Sequence, residues 1–118
     1  MKNSILLLAI TILLSIATTA QAQKNDESDY NLRKAYELLE NKEEAEALKY
    51  INKQIEEYPK SVNAYGMRAR LLFEQQKFGG ALTDINKAIK FWKKDCNVKQ
   101  YTLYWWRAII YSNMDMVD

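Results

Sequence analysis

Between Ser28 and Val117 the apolar residues recur at helical rather than strand-like spacing. Ala69, Leu72 and Phe73 mark one face of a first segment, and Ala81, Leu82, Ile85, Ala88 and Ile89 mark one face of the next. Intervals of three and four residues put such side chains on a single stripe of an α-helix, and period-two alternation is missing. The same spacing returns at Tyr104, Arg107, Ala108 and Tyr111, so the pattern predicts one more helix over 101–117. Polar or helix-weakening stretches divide the segments. Glu40-Asn41-Lys42 and Phe78-Gly79-Gly80 predict the breaks inside each helix pair, the second through the low helix propensity of glycine. Pro59 ends a helix because its ring removes an amide donor and disfavours helical geometry at Tyr58. Ser61 is then placed to cap the next helix.

The segments are copies of one another. At an offset of 34 residues, Ala35, Leu38, Glu40, Ala47, Leu48, Ile51, Asn52, Lys53 and Ile55 recur unchanged as Ala69, Leu72, Glu74, Ala81, Leu82, Ile85, Asn86, Lys87 and Ile89. Nine identities within 21 positions indicate a duplicated supersecondary unit. From the second unit to the last helix the offset grows to 39, which assigns about five extra residues to a loop over 94–100. The organisation read from this is a first repeat over 28–59, a second over 61–93, the loop, and the first helix of an incomplete third.

Tyr65, Arg68, Ala69, Leu72, Phe78, Ala81, Ile85, Ala88 and Pro59 together resemble the tetratricopeptide repeat (TPR) pattern of large, small and aromatic packing positions with a closing proline. The resemblance implies an all-α fold of antiparallel helix pairs, about five helices stacked as a short right-handed solenoid. It implies that Ala69 and Ala81 face each other where two helices cross. The first unit departs from the family: Asn31 and Glu44 replace aromatics, Lys34 an aliphatic and Gln54 a small residue. That composition is expected of a terminal unit with one solvated face. The second unit has Lys93 in place of its closing proline.

The family also implies a scaffold rather than an enzyme, with a concave groove lined by first helices that holds a peptide or protein segment. The repeat register carries Leu32, Tyr36, Gly66, Arg70, Phe73, Trp105 and Ile109 onto that surface. Such a groove is aromatic and apolar with one cation, the side-chain types that anchor interfaces. The branch of the family that grips a terminal carboxylate does so with lysine, asparagine and arginine; the corresponding places here hold Leu32, Tyr36, Met67, Trp105 and Ile109, so that ligand is not expected.

The first 22 residues read as a cleavable secretory signal. Lys2 precedes an almost wholly apolar run from Ile5 to Ala17, and Ala20-Gln21-Ala22 supplies small residues for cleavage after Ala22. The run falls short of the roughly 20 residues a membrane span needs, so no membrane attachment is expected after cleavage. The product is expected outside the cytoplasm, periplasmic or secreted, with a disordered N-terminus at 23–27.

Seventeen basic and fifteen acidic side chains give a net charge of +2, and losing Lys2 lowers it by one. No uniform field is available to attract nucleic acid. Lys87, Lys90, Lys93, Lys94 and Lys99 read as a solvated face. Without histidine, and with Cys96 the sole cysteine, the usual zinc sites and the Ser-His or Cys-His nucleophile pairs cannot be assembled. No cofactor, metal or catalytic residue is expected. Glu43 and Glu44, like Glu56 and Glu57, are adjacent and project in different directions from a helix.

The last helix carries Leu103, Trp105, Trp106, Ile109, Ile110 and Met114 around more than one side. Three coverings are open: a homodimer with this helix as its seam, a partner protein's helix, or a longer array of which the chain is the N-terminal docking piece of a repeat protein or enzyme.

Overall fold

The structure, a computed structural model, describes the backbone of residues 2–115 and the side chains of 2–20 and 30–115. It is all-α: α1 (Lys2–Glu40), α2 (Glu44–Glu57), α3 (Val62–Glu74), α4 (Phe78–Phe91) and α5 (Gln100–Asp115), with no strand among the described residues. The expected end of the last helix at 116–117 lies outside them.

Two compact units divide the chain, Met1–Tyr30 and Asn31–Asp118. In the first, α1 exposes its apolar side chains, including Ile5, Leu7, Leu13 and Ile16. Lys2–Ala20 is 19 residues with a mean hydropathy of 2.0, long and apolar enough to cross a membrane, which a signal sequence near an N-terminus also is. Shortness therefore does not separate the two, contrary to the expectation from the sequence. In the uncleaved chain the backbone of 23–27 lies within α1, and no glycine or proline between Lys2 and Glu40 interrupts it.

In the second unit α3 packs chiefly on α4, α4 on α5, and α2 on α3. Residue pairing shows that neighbours run antiparallel. Across α3 and α4, Tyr65 meets Phe91 while Phe73 meets Phe78; across α2 and α3, Glu44 meets Gln75 while Asn52 meets Arg68. The main core holds Val62, Tyr65, Ala69, Ala81, Ile85, Ala88, Leu103 and Ile110, and a smaller one holds Ala35, Ile51 and Ala64; Ile55 packs against both. Ala69 and Ala81 share this core at 2% and 0% exposure, as their small size at a crossing requires.

The 34-residue period reappears in backbone geometry. After α1, the amides of Lys42 and Glu43 donate to the carbonyls of Leu39 and Leu38; after α3, those of Gln76 and Lys77 donate to Phe73 and Leu72. Both closures are Schellman caps whose αL position is occupied by a residue other than glycine, Lys42 at φ 61° and Gln76 at φ 60°. The turn therefore does not use the glycines expected to form it. Gly79 and Gly80 lie in the first turn of α4, neither with positive φ. Gly80 instead permits close approach of two helices, because a Cβ there would stand 3.2 Å from Leu72 Cδ1.

α2 ends at Glu57 ahead of Pro59, with Tyr58 at φ −132° and ψ 78°, outside helical geometry. Ser61 Oγ accepts the Ala64 amide at 3.3 Å, and the Tyr65 hydroxyl donates to the Pro59 carbonyl at 3.0 Å. The connection from α4 to α5 is tied by Trp92, whose indole donates to the Val98 carbonyl at 2.8 Å, and by half-buried Cys96, whose Sγ accepts the Lys93 amide at 3.3 Å. Two of the first unit's four polar departures do not belong to a solvated face: Asn31 is fully buried and Gln54 nearly so, while Lys34 and Glu44 are half-exposed. Glu57 Oε2 accepts from Asn31 Nδ2 at 3.5 Å, so part of this terminal polarity points inward.

Candidate binding groove

Because α1, α3 and α5 present comparable faces in succession, their side chains enclose one groove of about 660 Å³. α1 supplies Leu32, Arg33, Tyr36 and Glu37. α3 supplies Val62, Asn63, Gly66, Met67 and Arg70, and α5 supplies Thr102, Leu103 and Trp106; Ile85 and Val98 complete the lining. The volume lies within the range of small-ligand pockets and accommodates several side chains of a bound segment.

Four of the seven residues expected on this surface line it: Leu32, Tyr36, Gly66 and Arg70. Phe73 does not. It sits in the seam between helices, 5.5 Å from the Phe78 ring centroid and 5.6 Å from that of Trp106. Trp105 stands outside the lining at 58% exposure, edge-on to Trp106 at 5.4 Å, and Ile109 is half-buried outside it. Trp106, in edge contact with Phe73, is the aromatic that α5 contributes to the groove in place of Trp105. Arg33 was open to detection as the immediate neighbour of Leu32, and Asn63 as the position one helical turn before Gly66. Val98 was not, because it comes from the inserted loop.

The electrostatics are asymmetric. Glu37 accepts from Lys34 at 3.3 Å and Glu74 accepts from Arg70 at 3.1 Å, while no carboxylate pairs with Arg33 among the described residues. The wall is thus apolar with cationic edges, able to desolvate aliphatic or aromatic side chains and meet a carboxylate at the rim. A side chain at Gly66 has open space, since a Cβ there meets nothing within 4 Å.

Outside the groove lining, a polar contact joins α3 to α4 and α2. Arg68 Nε and Nη2 donate to the two carboxylate oxygens of Asp84 at 2.7 and 2.9 Å, and Nη1 donates to Asn52 Oδ1 at 3.0 Å. These hydrogen bonds to Asp84 hold the guanidinium pKa above its ordinary value, with burial opposing. The Arg–Asn element recurs one unit on, where Arg107 Nη1 donates to Asn86 Oδ1 at 3.2 Å.

Comparison with protein-family models, with curated proteins and with solved structures finds no match.

Proposed function

We propose that this chain is an exported helical-repeat scaffold of the TPR type, its helix pairs stacked as a short right-handed solenoid, which binds an apolar segment of a peptide or protein partner. The observation that carries the reading is the groove formed by α1, α3 and α5, with Leu32, Tyr36, Gly66, Met67, Arg70 and Trp106 among its lining. Support for stacked repeats comes from the Schellman caps 34 residues apart and from the Arg68–Asn52 and Arg107–Asn86 bonds linking successive units. The apolar Lys2–Ala20 helix supports export, with cleavage after Ala22 releasing residues 23–118 outside the cytoplasm. Apolar side chains of the bound segment fill the wall, and a carboxylate on it faces Arg33 or Arg70.

Gly66→Trp tests the groove directly, because it fills open space and removes a glycine from a helix interior. A partner recovered from the host's extracytoplasmic fraction with the wild type is expected to be lost with Gly66→Trp and weakened by Arg70→Ala. Equal recovery with all three proteins, each folded by circular dichroism, refutes the groove. Mass spectrometry of the exported product tests processing; a product still beginning at Met1 refutes cleavage.

A further inference from the structure

Gly66 stands in the interior of α3, where glycine lowers helix stability relative to alanine, and neither backbone nor packing asks for it. Its φ is not positive. A Cβ at Gly66 meets nothing within 4 Å, whereas one at Gly80 would press on Leu72 Cδ1 at 3.2 Å, so Gly80 is a packing glycine and Gly66 is not. Gly79 is as open, but it lies in the first turn of α4, where amides have no partner within the helix. A helix weakened without structural gain is expected where function sets the residue. The space that Gly66 opens belongs to the groove. Val62, Gly66 and Arg70, at intervals of four, turn one stripe of α3 into the lining. On α1 the 34-residue equivalent, Leu32, fills its place with a side chain; α3 leaves a notch. Met67 and Trp106 line the same cavity and suit a bulky apolar group. Charge is one-sided as well. Arg33 and Arg70 outnumber the lining's carboxylate, Glu37, which Lys34 already engages at 3.3 Å. Arg70 has Glu74, while exposed Arg33 has no carboxylate partner among the described residues.

Resting on the groove reading, we propose that Gly66 sets the selectivity of the groove: its notch receives one tryptophan, phenylalanine or leucine of an acidic peptide segment, and an aspartate or glutamate near that residue meets Arg33. A large side chain lying against bare helix backbone gains contacts that a residue on the open rim does not. A segment of small residues leaves the notch unfilled and forfeits them. The carboxylate supplies Arg33 with the charged acceptor that its own chain does not, through paired hydrogen bonds of fixed geometry. A basic segment is disfavoured by the same two guanidiniums.

The probe is a phage-displayed library of random dodecapeptides, panned on the full chain as its host processes it. Enriched peptides, expected to combine a large apolar residue with an acidic one, are then titrated by calorimetry into wild type, Gly66→Ala, Gly66→Leu, Arg33→Glu and Tyr36→Ala. Gly66→Ala and Gly66→Leu should each raise the thermal midpoint, because both are better helix formers, yet weaken binding in order of size, Gly66→Leu by about tenfold or more. A purely structural glycine would not move stability and affinity in opposite directions. Shortening the peptide's large residue to alanine should cost affinity for wild type but not for Gly66→Leu. Arg33→Glu should come to prefer a peptide whose acidic residue is replaced by lysine. Equal affinity for wild type and Gly66→Leu, with Tyr36→Ala still weakening binding, leaves the groove standing and overturns this proposal. Enrichment without acidic residues, or an Arg33→Glu preference unchanged from wild type, overturns it too. Absence of enrichment, or binding that neither Gly66→Leu nor Tyr36→Ala alters, overturns the groove reading with it.

Discussion

Replacing the two members of the Arg68–Asp84 pair separately should produce unequal losses, because they are unequally buried. The Asp84 side chain is 4% exposed and that of Arg68 is 24% exposed, while their hydrogen bonds are 2.7 and 2.9 Å long. Removing one partner of a buried pair commonly costs 3–5 kcal/mol, most of it from the charge left behind. Arg68→Met strands a carboxylate with almost no access to water, so a loss of about 3–4 kcal/mol is expected. Asp84→Leu strands a guanidinium that reaches solvent at its edge and retains Asn52; screening discounts the loss to about 2 kcal/mol. The double variant leaves no charge orphaned and should lie within about 1 kcal/mol of wild type. Equilibrium urea denaturation of all four proteins, followed by tryptophan fluorescence and far-UV circular dichroism, closes the cycle. If Asp84→Leu costs as much as Arg68→Met, or if the double variant is no better than the worse single, differential burial is not what governs this contact.

Three further outcomes are expected. Lys42→Gly and Gln76→Gly should each stabilise by up to about 1 kcal/mol in chemical denaturation, since the αL strain they relieve slightly exceeds the added entropy of an unfolded glycine; destabilisation by either refutes the cap assignment. Ala81→Leu, at 0% exposure against α3, should destabilise by about 1–3 kcal/mol, whereas leucine at exposed Ala108 should change the melting midpoint little. The raised pKa of Arg68 means that its contribution is complete below arginine's ordinary pKa and is lost only as pH rises through the higher folded value. Thermal melts from pH 6 to 9 should therefore be the same for wild type and Arg68→Met apart from a constant offset.

The positions legible in the sequence were those whose role repeats. Ala69 and Ala81 were readable as a crossing because both recur from the unit before; Arg68 and Arg107 were readable as equivalent, and so were Asn52 and Asn86, although the bonds between them were not. The turn was located to within a few residues but assigned to the wrong side chains. Glycine is the usual solution to positive φ, and the αL residues Lys42 and Gln76 carry no compositional mark. Four groove residues followed from repeat register. Phe73, Trp105 and Ile109 lie outside the lining, since the register places a residue from its own helix alone, while Phe73 meets Trp106 across the helices.

What the sequence by itself determined was the helical period, the unit length and the small-residue positions. These are properties of single helices and their copies, written in spacing that survives without knowledge of neighbours. Only the tertiary structure decided that Val98 enters the groove, that Asn31 and Gln54 turn inward, and that Tyr104, Ala108 and Tyr111 on α5 are exposed among the described residues. Each depends on how one helix is rotated against the next. That rotation follows from the mutual packing of side chains far apart in the chain, which a periodic pattern along one strand of residues does not encode.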